Sequence, residues 1–108
     1  VVDVGTAVMD EPDQVPNSFS LEPAFPNPFN ATVSLSFHLP HEGHVEVAIY
    51  NLTGQRVATA ADTWFAAGAH TLSWNGEDLA GYPAATGVYL VRSQFGQRVE
   101  MEKILLLR

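Results

Sequence analysis

The sequence contains no cysteine. That absence excludes disulfides, thiolate-held zinc and cysteine nucleophiles. Basic residues are scarce, with five Lys and Arg against twelve Asp and Glu, a net charge of −7. A nucleic-acid partner needs a basic footprint, so none is expected. No apolar run approaches the roughly 20 residues of a membrane-spanning helix. The opening VVDVGTAVMDEPD has no basic start followed by an apolar stretch, so it does not read as a signal peptide. With no initiator Met, the chain reads as a fragment, a mature product or a piece cut from a larger protein. No stretch has the spacing of an amphipathic helix.

What charge there is falls unevenly. The first 24 residues hold Asp3, Asp10, Glu11, Asp13 and Glu22 and no base. Four of the five bases, Arg92, Arg98, Lys103 and Arg108, fall in the last seventeen residues. Residues 1–18 have weak periodicity, and we read them as a linker or the end of a preceding domain. A short strand over Val1 to Val8 is possible there if another domain pairs with it. Residues 19–108 form the domain.

From Phe19 onward the pattern is that of β-strands. In TVSLSFHL, Val33, Leu35, Phe37 and Leu39 share one parity and Thr32, Ser34, Ser36 and His38 the other, as in a half-buried strand. Pro40 to Gly43 supplies turn residues. HVEVAIYN then places Val45, Val47 and Ile49 on one face, with His44, Glu46 and Tyr50 opposite, and the pair is expected to form a hairpin. After the turn NLTG comes QRVATAA, a short strand, then a bend over Thr63 to Gly68. HTLSWN puts Leu72 and Trp74 inward. The loop NGEDLAGYPAATG is the longest irregular stretch. TGVYLVRSQF and QRVEMEKILLL are the last two strands, joined at Gly96-Gln97, which suits a type II′ turn. About seven short strands with turn signals every 8–12 residues predict an all-β fold, an antiparallel immunoglobulin-like β-sandwich.

The last strand is over-supplied with apolar residues. Val99 and Met101 point one way, Glu100 and Glu102 the other. Beyond Lys103 both parities are apolar, Ile104 and Leu106 on one and Leu105 and Leu107 on the other, closed by Arg108. A core takes one face of a strand. The other packs under a loop or meets a partner.

Other chemistry has weaker support. His38, His41 and His44 cluster around the expected hairpin, and three imidazoles suit zinc. The hairpin is short and lacks groups to orient the rings, so no metal is assigned. Asn75 to Asp78 with Asp62 has oxygens enough for calcium. It lacks the alternating acids of an EF-hand loop, and a turn is the plainer reading. No Ser–His–Asp arrangement, phosphate-cradling glycine loop or metalloprotease helix is present, so the chain is not expected to be an enzyme or to need a cofactor. Asn30-Ala31-Thr32 and Asn51-Leu52-Thr53 match the glycosylation sequon, a short pattern that carries little weight by itself.

Several pieces together are recognisable: Pro26-Asn27-Pro28-Phe29-Asn30, the turn YNLTGQRV around Gly54, Gly68 ahead of the Trp74 strand, Gly87-Val88-Tyr89, and Lys103 to Arg108. In this order and spacing, residues 18–108 resemble the C-terminal sorting domain, type A, of type IX secretion system cargo. They are also similar to the immunoglobulin-like domain of the flagellar hook-capping protein. The sequence departs at Ala31, where relatives commonly have proline, and at Leu90-Val91, where an aromatic is more usual.

The resemblance implies a non-catalytic address label. An attached upstream cargo passes through the periplasm, crosses the outer membrane and is displayed at the surface or released. Its partners would be the outer-membrane secretion and sortase machinery, with self-association through the last strand also open. Residues 103–108 are the candidate recognition element. Pro26, Asn27, Pro28, Phe29, Asn30, Gly54, Gly87 and Tyr89 read as structural: prolines that withhold donors at a sheet edge, asparagines that bond local backbone, Phe25 and Phe29 closing one end, and a Tyr89 hydroxyl bonding a nearby corner. A carbohydrate-binding module would need aromatics in a row, and Trp64, Phe65 and Tyr82 are the only loop candidates. A structural spacer is the third reading.

Overall fold

The computed structural model describes residues 18–108, so the linker and strand expectations for residues 1–17 lie outside the described residues. The strands are β1 (Ser20–Leu21), β2 (Val33–Leu39), β3 (Gly43–Tyr50), β4 (Arg56–Phe65), β5 (Gly68–Trp74), β6 (Gly87–Phe95) and β7 (Arg98–Leu106). They form a three-stranded sheet in the order β1-β2-β5 and a four-stranded sheet in the order β4-β3-β6-β7, and every strand pair is antiparallel. The immunoglobulin-like sandwich expected from the pattern is what the chain adopts.

The alternating strands place one parity of each sheet in the interior. Val33, Leu35, Phe37 and Leu39 of β2 meet Val45, Val47 and Ile49 of β3 and Tyr89, Val91 and Phe95 of β6, all buried. Ile104 and Leu106 of β7 are fully enclosed. Each such side chain contributes about 1.5–3 kcal/mol of burial free energy. Trp74 is the hinge of the aromatic packing: Phe29 lies 5.7 Å and Tyr89 5.5 Å from it, ring centre to ring centre. Its indole N–H donates to the Glu77 carbonyl at 2.8 Å, which satisfies a buried donor.

Two local expectations change. β2 and β3 are not a hairpin, because β2 pairs with β5 and β3 with β4 and β6. Pro40 to Gly43 is therefore a corner between sheets, and both strands read as half-buried because each faces the other across the core. Gly43 sits so close to the Phe95 ring that an added Cβ would lie 2.5 Å from it, so the corner takes only glycine. β4 is also longer than its weak pattern suggests, running to Phe65. It is an edge strand with register shifts between Val47 and Ala48 and between Ile49 and Tyr50 of its partner, so its hydrophobic alternation is broken by bulges.

Candidate recognition site

The terminal strand and the PNPFN segment, far apart in sequence, lie side by side. β7 pairs with β6 in an unbroken register from Phe95↔Arg98 to Gly87↔Leu106. Gly96, with φ 61°, forms the tight connection, since the left-handed region at that position suits glycine. On its other edge, residues 24–29 run along the second half of β7. The Phe29 N–H donates to the Leu105 carbonyl at 2.9 Å, and the Leu107 N–H donates to the Phe29 carbonyl at 2.8 Å. Asn27 does with its side chain what a neighbouring strand does with its backbone. Its oxygen accepts the Leu105 N–H at 3.0 Å and its nitrogen donates to the Lys103 carbonyl at 3.1 Å. Pro26 and Pro28 flank it and have no N–H to leave unpaired. Further back, the Ala24 N–H donates to the Glu102 carboxylate at 2.6 Å.

The candidate residues of β7 divide by parity. Ile104 and Leu106 are core. Lys103 and Leu105 face outward, exposed and half-buried, opposite Leu90 and Val88 of β6. Leu107, just past the strand, is 46% exposed. Val99 (37%) and Met101 (54%) lie on the same outer face, so the inward parity is that of Glu100 and Glu102. The outward apolar stripe therefore extends further back than residues 104–107 suggest.

Arg108 is engaged by the domain itself. Its Nε donates to the Ala84 carbonyl at 2.7 Å, its guanidinium Nη2 to the Gly76 carbonyl at 2.5 Å, and its N–H to the Thr86 hydroxyl at 2.9 Å. The guanidinium thus ties the long loop after β5 to the chain end. That loop is ordered internally by Asp78, one carboxylate oxygen of which accepts the Ala80 and Tyr82 N–H groups, both at 2.9 Å.

The remaining motif residues are structural by their contacts. Phe29 is buried against Trp74, whereas Phe25 is 75% exposed, so only one of the two phenylalanines closes the sandwich. The Tyr89 hydroxyl donates to the Ala85 carbonyl at 2.6 Å. Gly87 opens β6 opposite Leu106. Gly54, at φ 89°, closes the NLTGQ turn, in which the Asn51 oxygen accepts the Thr53 and Gln55 N–H groups. Asn30 is exposed, as are Pro26 and Pro28.

The minor chemistries are taken apart by the topology. His38 lies in the three-stranded sheet and His44 in the four-stranded one, both at outward parity, so they sit on opposite surfaces of the sandwich. His44 contacts Asp62 at 2.8 Å, which places Asp62 at β4 and away from Asn75–Asp78. Among the described residues, no three His, Asp or Glu side chains converge as metal ligands. Phe65 is half-buried, packed against Phe37 and His70 at the margin of the core. Trp64 stands near the far end of β4 beside His41 and Gly96, while Tyr82 is in the loop that neighbours the start of β4. They form no row. Arg56 bonds the Tyr50 hydroxyl and the Glu46 carboxylate, and these hold its guanidinium above its ordinary pKa.

Comparison with known proteins follows the same lines. Residues 26–95 match the FlgD Ig-like domain family, and the chain belongs to it. No curated protein sequence matches. Among solved structures, dimeric latent PorU from Porphyromonas gingivalis superposes with a TM-score of 0.68 at 18% identity, over 82% of this chain and 9% of that one. PorZ, described as an essential surface component of the type-IX secretion system of the same organism, superposes with a TM-score of 0.58 at 18% identity, over 82% and 11% respectively. This chain therefore spans about a tenth of either relative, and the likeness at that identity is one of fold.

Proposed function

We propose that the domain is a non-catalytic sorting signal that directs an attached cargo protein across the outer membrane through the type IX secretion system. The observation that carries the reading is the outer face of β7. Val99, Met101, Leu105 and Leu107, with Lys103 between the two pairs, make a largely apolar stripe on the outside of a sandwich whose core is already filled by Ile104 and Leu106. A stripe of that kind on a last strand has the character of a contact surface. The likeness of fold to a domain of PorZ supports the same system. The receptor would be part of the outer-membrane machinery, a sortase would act upstream of the domain, and cargo would pass from periplasm to surface or medium.

Truncation at Lys103 is a poor test, because it removes Ile104 and Leu106 from the core and unfolds what it is meant to probe. The direct test fuses the chain behind a periplasmic reporter in a host with the type IX machinery. Reporter at the surface or in the medium is expected, and reporter held in the periplasm when the machinery is deleted. A fusion that stays in the periplasm of the intact host refutes the reading.

A further inference from the structure

The described residues cover the outer edge of β7 over only half its length. Leu105 and Leu107 turn their backbone polar groups away from β6, toward Asn27 and Phe29. In an antiparallel ladder this orientation repeats at every second residue. The N–H and C=O of Val99 and Met101 therefore point to the same outer side, and no described residue bonds them. The covering chain departs at Ala24, bound to Glu102, and joins the other sheet, where Ser20 and Leu21 pair with His38 and Phe37.

The other edges differ. β1 is two residues long. β4 is bulged twice, which twists an edge away from partners. β5 is regular but presents Ala69, Thr71 and Ser73 outward. Only β7, among the described strands, combines a regular bare edge with exposed apolar side chains, Val99 and Met101.

Its charge is specific too. Arg92 lies opposite Met101 and Lys103 opposite Leu90, both at outward parity. Arg92 bonds Gln94, and neither cation is in an ion pair among the described residues. These two cations stand out on a chain of net charge −7. A second copy docking antiparallel by the same edge would again present Val99, Met101 and Lys103 on the outer face, with Glu100 and Glu102 on the inner one, and would leave both cations without a carboxylate. An acidic strand would complement them.

We propose that the Val99–Met101 edge of β7 is a strand-docking site that takes an extended segment of a partner protein whose outer-face side chains, at every second residue, are apolar beside Val99 and Met101 and acidic beside Lys103. Backbone groups of Val99 and Met101 extend the four-stranded sheet by one strand. On the outer face, which Val99, Met101 and Lys103 share, the partner's apolar side chains lie beside Val99 and Met101, and a carboxylate two residues along the same face reaches Lys103. This rests on the sorting reading, and it moves the point of recognition back from the last residues to the first half of the strand.

The test uses the whole chain and two short peptides, Thr-Glu-Thr-Val-Thr-Val-Thr and its counterpart with lysine in place of glutamate, each of which carries its charge and its valines on one face of an extended strand. The glutamate peptide is expected to slow amide hydrogen exchange at Val99 and Met101 and to bind at least about tenfold more tightly than the lysine peptide. Met101→Pro deletes an N–H that the domain's own ladder does not use, so the fold is kept and binding is lost. Lys103→Glu, which leaves the backbone alone, removes the preference for the acidic peptide. Equal binding of both peptides, or no protection at Val99 and Met101, overturns the proposal. So does a concentration-dependent dimer that protects these amides, which would make a second copy the occupant. In the reporter fusion, export undiminished by Met101→Pro sinks the edge and leaves the sorting function standing. If the unmutated fusion is not exported, the peptide experiment still decides the edge by itself.

Discussion

Asn27 grips Leu105 from the side, its carboxamide oxygen on the Leu105 N–H at 3.0 Å and its amide on the neighbouring Lys103 carbonyl at 3.1 Å. The two hydrogen bonds join points 78 and 76 residues apart in sequence. One side chain thereby closes a section of sheet edge that would otherwise present bare backbone. This gives the PNPFN segment a physical role: it is the cover of the last strand.

Asn27→Ala removes both bonds and uncovers the Leu105 N–H and the Lys103 carbonyl. At about 0.5–1.5 kcal/mol per bond, the loss is expected to be about 1–2 kcal/mol, since water partly replaces them at an exposed site. Urea unfolding measures it. Amide exchange should quicken at Leu105, while the Phe29 and Leu107 backbone pairing persists.

The parity of the last strand predicts a sharp contrast between near neighbours. Ile104→Ala opens a void in a closed core and should cost about 2–5 kcal/mol. Leu107→Ala trims a side chain that is 46% exposed and should stay within about 0.5 kcal/mol. Thermal or urea midpoints of the two variants would settle it. Equal costs would mean that the strand's inward face has been misassigned.

Arg108 and Gly76 should behave as a coupled pair. Arg108→Ala frees the Ala84 and Gly76 carbonyls and should cost about 1 kcal/mol, with faster amide exchange across the loop after β5. Gly76→Ala has to overcome φ 76° and a Cβ 2.7 Å from the Arg108 guanidinium. Gly81→Ala, at φ 87° in open space, carries only the left-handed strain of about 1–2 kcal/mol. The double variant Gly76→Ala with Arg108→Ala should therefore cost less than the sum of its parts, which a double-mutant cycle in urea reads directly.

Tyr89→Phe isolates a single bond. The ring stays against Trp74 and only the donor to the Ala85 carbonyl is lost, so about 1 kcal/mol is expected with no change in the aromatic packing. A melting temperature equal to the parent's would show that the hydroxyl contributes nothing.

Much of the site was legible in the sequence, and its gaps have identifiable causes. Alternation located β2, β3, β6 and β7, and the Gly96 turn fixed the last hairpin, because these signals are local. Strand pairing is not local. β2 and β3 alternate as hairpin partners would, yet they face each other across the core, and the apparent histidine cluster dissolved with that hairpin. In β7 both parities are apolar after Lys103, so periodicity had no power to choose between them. Glu100 and Glu102 made the inward face look wrong until Ala24 supplied a partner for one of these carboxylates.

The order of residues by itself determined that this is an acidic, cysteine-free β-sandwich with too many aliphatic side chains in its last strand, since composition and two-residue periodicity follow directly from that order. Tertiary structure alone decided which of those side chains are enclosed and which stand outward. It also decided that Arg108 holds a loop, and that Asn27 covers the edge at Leu105 while no described residue covers it at Val99 and Met101. The reason is geometric: a strand has two faces and two edges, and what lies against each is set by segments distant in the chain, which alternation along the strand does not encode.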